Sequence, residues 1–230
     1  ESEVTQQLNR FSELLALHSN LIFAVGEIGF DFSANTLVQA KKLNITKEKL
    51  TEIQSQIFDF CTRQAKQNNL PIIIHSVNCW SLIVKKITEL RQNGFTNHIM
   101  IHSFSGSFEI SKQLIALNVY ISCSGIITKN LSLNKKEAIA QYPNHLLLAE
   151  SDAPDMLPHF SSDCHSNLAQ LSNSQAINSH NKTVQNQPKY LPFIIQKLCE
   201  IKNKKVPELL PELKNNFFIF LTSNKLNSDV

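Results

Sequence analysis

The chain has 230 residues, of which 42% are apolar and 18% charged, and its formal net charge is +3. This composition is typical of a soluble protein with a full core, because no segment approaches the roughly 18 consecutive apolar residues of a membrane span. The first residues lack a signal peptide's basic start and apolar run, and the positive charge is too small and dispersed to indicate a nucleic-acid binder by itself.

Five short apolar runs are predicted to be strands. Each is too short and too continuously apolar to be an exposed amphipathic strand, which favours a parallel sheet buried on both faces. The predicted strands are Leu21–Val25, Pro71–Ile74, Ile99–Ile101, Val119–Cys123 and Leu146–Ala149.

Segments of helical period separate these runs. One helix precedes the first strand, Thr46 can cap the next helix, and a further helix starts near Trp80 and can end at Gly94. Ser107 can cap another, and Pro188 suits the first turn of one more.

Strands that alternate with helices predict βα units and a parallel sheet, so the fold class is α/β. The sequence contains neither G-x-G-x-x-G nor G-x-x-x-x-G-K-[ST], the phosphate-binding motifs of open nucleotide-binding sheets. We therefore predict a TIM-like (β/α) barrel rather than a doubly wound sheet.

The stretch from His159 to Gln187 is rich in Ser, Asn, Gln and His and shows no sustained period. It predicts a polar flexible insertion, at about 159–187, within a single domain of residues 1–230. The five cysteines are widely spaced without a C-x-x-C pair, which is typical of reduced thiols in a cytoplasmic or nuclear protein.

Chemically versatile side chains stand where several predicted strands end. The first strand runs through Gly26 to Glu27, the second ends at His75, the third ends at His102, and the fifth passes Glu150 to Asp152. In a parallel sheet the carboxyl ends of the strands share one edge, where reactive groups collect. A single such residue is more often structural, but two imidazoles and two carboxylates together can bind divalent metal. A pair of ions can activate water and stabilise the oxygens of a phosphate ester.

Four runs in this order, GEIGFD, LPIIIHS, IHSFSG and LLLAESDAP, resemble the signature segments of the TatD family of metal-dependent deoxyribonucleases, within the amidohydrolase-like barrel superfamily. The runs QIFDFCTRQA and NQP are also similar to that family. The resemblance extends from Ile22 to about Phe220. Four ordered motifs are much more specific than any one of them.

The resemblance implies a barrel that holds two divalent ions, Mg²⁺, Mn²⁺ or Zn²⁺, and hydrolyses phosphodiester bonds of DNA, typically as an exonuclease. By position, Glu27 would be the ligand shared by both metals, and His75 and His102 would complete the second metal. Asp152 would bind the first metal and orient or deprotonate the attacking water, so Asp152 and Glu27 are the predicted catalytic residues. DNA is the expected substrate, and no membrane or obligate protein partner is indicated.

The sequence departs from the family pattern in two places. Family members open with a strand that ends in His-x-His, followed by a second strand, whereas this sequence contains no His-x-His and only 26 residues precede Glu27. We therefore expect a barrel without its first one or two strands, in which the first metal keeps Glu27 and Asp152 as protein ligands. Val77 stands where the family usually has an arginine, which alters the expected handling of phosphate.

Three functions remain open from the sequence. The leading hypothesis is a metal-dependent deoxyribonuclease. The second keeps the barrel and its metals but hydrolyses an ester or amide, since a barrel fold does not determine the reaction. The third is a shortened, inactive relative that binds nucleic acid or a partner protein.

Overall fold

The structure is a computed structural model that describes residues 3–159 and 185–222. Within these ranges strands and helices alternate. The strands are β1 Val25–Asp31, β2 Ile72–Val77, β3 Ile99–Ile101, β4 Tyr120–Cys123 and β5 Leu147–Ala149. The helices are α1 Glu3–Leu17, α2 Ala34–Lys42, α3 Lys47–Gln67, α4 Trp80–Gln92, α5 Phe108–Ala116, α6 Leu133–Gln141, α7 Leu191–Ile201 and α8 Val206–Thr222.

The five strands form one parallel sheet whose spatial order is the order of the chain, β1-β2-β3-β4-β5. A doubly wound sheet reverses its strand order at a switch point, whereas a (β/α) barrel adds each strand beside the previous one. The observed order is therefore that of a barrel, as predicted from the missing nucleotide-binding motifs.

One row of buried apolar side chains crosses all five strands. The register pairs Ile28 with Ile74, Ile74 with Ile101, Ile101 with Ile121, and Ile121 with Leu147. All five side chains are buried. Because successive side chains of a strand point to opposite faces, residues one or three positions from this row lie on the other face of the sheet. This register places the site residues described below on a common face.

Capping side chains start several of the helices where the sequence predicts them. Thr46 Oγ1 accepts a hydrogen bond from the amide of Lys49 at 3.2 Å, and Ser107 Oγ accepts one from the amide of Ile110 at 3.3 Å. Gly94 has a φ of +72° and comes just after Asn93, the residue that caps the end of α4, so it helps to close this helix as expected. The helices α2 and α6 are not among the predicted ones.

The predicted first strand is wrong in its position. Only Val25 of Leu21–Val25 belongs to β1, which continues to Asp31. The preceding residues form the turn after α1, where the amide of Leu21 donates to the carbonyl of His18 at 2.9 Å, and Leu21 is 68% exposed. The two glycines of the GEIGFD run lie inside the strand, so Glu27 stands near its middle rather than at its end.

The polar insertion predicted at about 159–187 lies mostly outside the described residues, and the single domain 1–230 stays a prediction. No helix of the described ranges is long and apolar enough to cross a membrane. The described cysteines Cys61, Cys79, Cys123 and Cys199 are buried free thiols, in agreement with the sequence.

The guanidinium group of Arg91 joins the chain segment that precedes β3 to the one that precedes β4. It donates to the carbonyls of Phe95 and Asn97 at 2.7 and 2.9 Å, and to those of Leu117 and Asn118 at 3.1 and 3.2 Å. These four acceptors are all backbone carbonyls, so this arginine replaces water for the chain segments that precede β3 and β4.

We expect Arg91→Met to lower the free energy of unfolding by roughly 2–4 kcal/mol, because it leaves several carbonyls without a donor. Urea unfolding followed by circular dichroism measures this change. Arg63→Met is the matched control, since Arg63 is an exposed arginine whose guanidinium lies over the Phe60 ring. Equal stability of the two variants would contradict the assigned role of Arg91.

Candidate metal centre

The four residues predicted to bind metal lie in four different strands or in the segments that follow them. Glu27 is in β1 and His75 in β2, while His102 directly follows β3 and Asp152 comes three residues after β5. His75 and His102 each stand one position from the apolar row, so the pleat directs them to the same face. Glu27 lies in the irregular part of the β1–β2 register, between Val25 and Ile28, and its carboxylate meets the two histidines on that face.

Glu27, His75 and His102 form a compact group of possible ligands. His75 Nδ1 lies 3.2 Å from His102 Nε2, and Glu27 Oε2 lies 3.4 Å from His102 Nε2 and 3.7 Å from His75 Nδ1. Three atoms with these separations can each lie about 2 Å from one cation, the usual metal–ligand distance for imidazole and carboxylate. The donor set therefore fits a divalent metal such as Zn²⁺ or Mn²⁺.

Asp152 lies beside this group, on the opposite edge of the His102 ring. Its Oδ1 is 3.9 Å from His102 Nδ1, whereas His102 Nε2 faces Glu27 and His75. The backbone of Asp152 has a φ of +54°, a left-handed conformation that aspartate tolerates better than most residues. Asp152 is thus placed next to the three-residue group without belonging to it.

Acidic neighbours and burial shift the protonation of this site. The pKa of Asp152 is raised to about 6: burial is the main cause, the carboxylates of Glu150, Glu27 and Asp155 add to it, and His102 acts in the opposite direction. Burial lowers the pKa of His102, but its hydrogen bond to Glu150 and the nearby carboxylates outweigh burial, so this pKa lies above its usual value. Negative charge thus accumulates where a cation would compensate it.

Glu150 is a site residue that sequence reasoning did not select. Its Oε1 lies 3.3 Å from His102 Nδ1 and accepts a hydrogen bond of 2.6 Å from the amide of Ser103. The same amide is 3.1 Å from Ser122 Oγ, and Ser103 has a φ of +48°. A signal was available, because Glu150 stands three positions after Leu147 and therefore on the site's face of the sheet.

Asp31 is a second residue that the sequence analysis did not select. It ends β1, and its Oδ2 lies 3.8 Å from His75 Nε2, on the side of the ring away from Glu27. The sequence could have indicated Asp31 in the same way as Glu150. Asp31 stands three positions after Ile28, and a residue at this spacing lies on the opposite face of the sheet from the apolar row.

Asn186 holds the loop that carries Asp152. The buried Asn186 side chain donates hydrogen bonds to the carbonyls of Ser151, at 2.5 Å, and of Asp155. The backbone N–H of Asn186 donates to the carbonyl of Pro154 at 3.2 Å. The chain thus returns to the site at Asn186, which the resemblance had included only as part of the NQP run.

The raised pKa of Asp152 predicts a stability cost in the metal-free protein. The folded state binds this proton more tightly than the unfolded state, whose pKa is near 3.8, so stability falls as pH rises from about 4 to about 6 and stays lower above that. We expect Asp152→Asn to be more stable than the wild type at pH 7 by roughly 1–3 kcal/mol, and equally stable near pH 4.

Urea unfolding in the presence of a chelator, at both pH values, measures this difference. Glu137→Gln is the control, because Glu137 is an exposed carboxylate on α6 and its removal should change little. A less stable Asp152→Asn protein at pH 7 would contradict the expected cost.

Comparison with known proteins connects this geometry to a family. The profile of the family described as TatD related DNase matches residues 1–222. The uncharacterized metal-dependent hydrolase YabD of Bacillus subtilis is 25% identical over 209 residues, which cover 90% of this chain and 68% of YabD. The 3'-5' ssDNA/RNA exonuclease TatD of Escherichia fergusonii is 24% identical over 180 residues, 78% of this chain and 58% of that protein.

The fold is also similar to a solved structure. The crystal structure of YjjV, a TatD homologue from Escherichia coli K12, superposes with a TM-score of 0.72 and 24% identity. The superposition covers 96% of this chain and 71% of YjjV, so the sheet and helices described above correspond to part of a TatD barrel. The resemblance carried by the four motifs is confirmed by the match along the chain. The chain therefore belongs to the TatD related DNase family of metal-dependent hydrolases.

Proposed function

We propose that this chain is a divalent-metal-dependent nuclease that hydrolyses phosphodiester bonds of DNA as an exonuclease. The main support is the group of Glu27, His75 and His102 beside Asp152, which offers both metal ligands and a candidate proton acceptor. The E. fergusonii relative, named a 3'-5' ssDNA/RNA exonuclease, favours a nucleic acid as the substrate. The proposed locations are the cytoplasm and the nucleus.

In this proposal His75 and His102 would hold one cation, Asp152 would hold a second, and Glu27 would contact both. Bound divalent cations lower the pKa of water and stabilise charge on phosphate oxygens. Asp152 would orient the attacking water and accept its proton. Glu150 would keep His102 in place through Nδ1, so that Nε2 faces Glu27 and His75.

We expect Asp152→Ala to reduce the release of nucleotides from DNA by a factor of about 10² or more, because it removes the proposed water-orienting carboxylate. The assay uses end-labelled single-stranded oligonucleotides with Mg²⁺ or Mn²⁺. Glu137→Gln, which changes an exposed carboxylate on α6, should retain wild-type activity. Activity of Asp152→Ala equal to that of the wild type would refute the mechanism.

The shared position of Glu27 predicts a distinct effect on metal binding. We expect Glu27→Gln to weaken the binding of both cations and His75→Ala to weaken only one, because only Glu27 would contact both. Isothermal titration of chelator-treated protein with Mn²⁺ measures both steps. Identical effects of the two substitutions would exclude a shared ligand.

A second candidate function is the hydrolysis of an ester or amide by the same metals. Val77 favours it, since this strand residue, paired with Asp31, cannot attract phosphate as the family's usual arginine can. Comparison of a phosphodiester with a simple ester and an amide, at equal metal concentration, decides between them. A preference of at least about tenfold for the phosphodiester supports the nuclease, and the reverse preference supports the second candidate.

A further inference from the structure

The His75 ring contacts different partners through its two nitrogens. Nδ1 faces the candidate ligands, 3.2 Å from His102 Nε2 and 3.7 Å from Glu27 Oε2, whereas Nε2 lies 3.8 Å from Asp31 Oδ2. A neutral imidazole carries its proton on one nitrogen, and the partner of that nitrogen determines which lone pair is available to a metal. The position of Asp31 therefore bears on the state of His75.

Hydrogen bonds hold the Asp31 carboxylate in place. Oδ1 accepts from the amide of Ser33 at 2.6 Å, and Oδ2 accepts from Thr36 Oγ1 at 2.8 Å. Burial raises the pKa of Asp31, but these hydrogen bonds outweigh burial, so the pKa lies below its usual value and the group is a carboxylate at neutral pH. An acceptor with fixed position and charge thus stands next to Nε2.

The backbone of Asp31 is fixed as well. Its amide donates to Gln54 Oε1 at 3.1 Å, and the Gln54 amide group donates back to the Asp31 carbonyl at 3.2 Å. Gln54 belongs to α3, so a helix side chain holds the end of β1 at two points. The carboxylate cannot move away from His75 without breaking these contacts.

Gly29 leaves the space in which the two strands bring these groups together. It pairs with His75 in the register and has a φ of +152°, and a β-carbon at this position would collide with the His75 carbonyl. A side chain here would separate β1 from β2.

His102 shows the same arrangement with its nitrogens exchanged. Its Nε2 faces Glu27 and His75, and its Nδ1 lies 3.3 Å from Glu150 Oε1, which is held by the amide of Ser103. Each candidate ligand histidine therefore has a fixed carboxylate at the nitrogen that faces away from the ligand group.

We propose that Asp31 is a positioning residue that accepts a hydrogen bond from Nε2–H of His75 and thereby keeps Nδ1 free and directed at the metal site. The inference rests on the proposed metal centre and deepens it. The distance of 3.8 Å between Nε2 and Asp31 Oδ2 is longer than a hydrogen bond, so the proposal requires these two atoms to move closer when a metal binds Nδ1. Carboxylates that hold ligand histidines in this way commonly change metal affinity by 10–100-fold.

The test is Asp31→Asn in the full 230-residue protein, titrated with Mn²⁺ and with Zn²⁺ by calorimetry. We expect the affinity of one site to fall about 10–100-fold with the number of bound ions unchanged. The matched control is Asp59→Asn on α3, whose carboxylate pairs with Lys86 at 2.9 Å and should leave metal affinity unchanged. If Asp31→Asn does not fold, Thr36→Val removes one of the hydrogen bonds that fix the Asp31 carboxylate and should weaken affinity less.

A second measurement needs no metal. The ¹⁵N shifts of the His75 ring in chelator-treated protein report which nitrogen carries the proton, and Asp31→Asn should reduce the Nε2–H tautomer. Unchanged affinity together with an unchanged tautomer would overturn the inference. Loss of a bound ion would also overturn it, because Asp31 would then be a ligand itself. Should the wild type bind no metal, the proposed function fails while the tautomer still decides the role of Asp31.

Discussion

The register of the parallel sheet is the constraint on which the site depends. Ile28, Ile74, Ile101, Ile121 and Leu147 form one buried row across five strands. The candidate ligands His75 and His102 stand one position from that row, so burial of the row fixes the face on which they meet Glu27. A slip of one residue in any strand would turn its polar side chain toward the apolar layer. The apolar row therefore determines the geometry of the polar site.

Much of this fold could be predicted from the sequence because strands buried on both faces leave short, continuous apolar runs. The runs at β3 and β4 were located within a residue of their observed bounds. Leu21–Val25 failed because an apolar run after a helix can equally form a turn, and local composition does not distinguish the two. The helices α2 and α6 were missed because they are short and mostly polar, whereas the equally short α5 is more apolar.

The site could be predicted in part, because some of its residues adjoin the same apolar runs that indicate the strands. His75 and His102 directly follow or extend apolar runs, so their place at the strand ends was visible. Asp31 and Glu150 were overlooked because they share motifs with Glu27 and Asp152, and sequence spacing does not reveal which ring nitrogen a carboxylate will face. The family match supplies the class of metal-dependent hydrolase. Substrate choice depends on particular side chains such as Val77, at which this chain differs from the family pattern.

The contacts of Asn186 have a consequence for how this protein can vary. They join residues on both sides of the stretch between Asp155 and Asn186, so the two ends of that stretch meet beside the site. When the two ends of a connecting segment are held together, lengthening the segment adds little to the free energy of closing it. A change in length between Asp155 and Asn186 therefore need not displace Asp152.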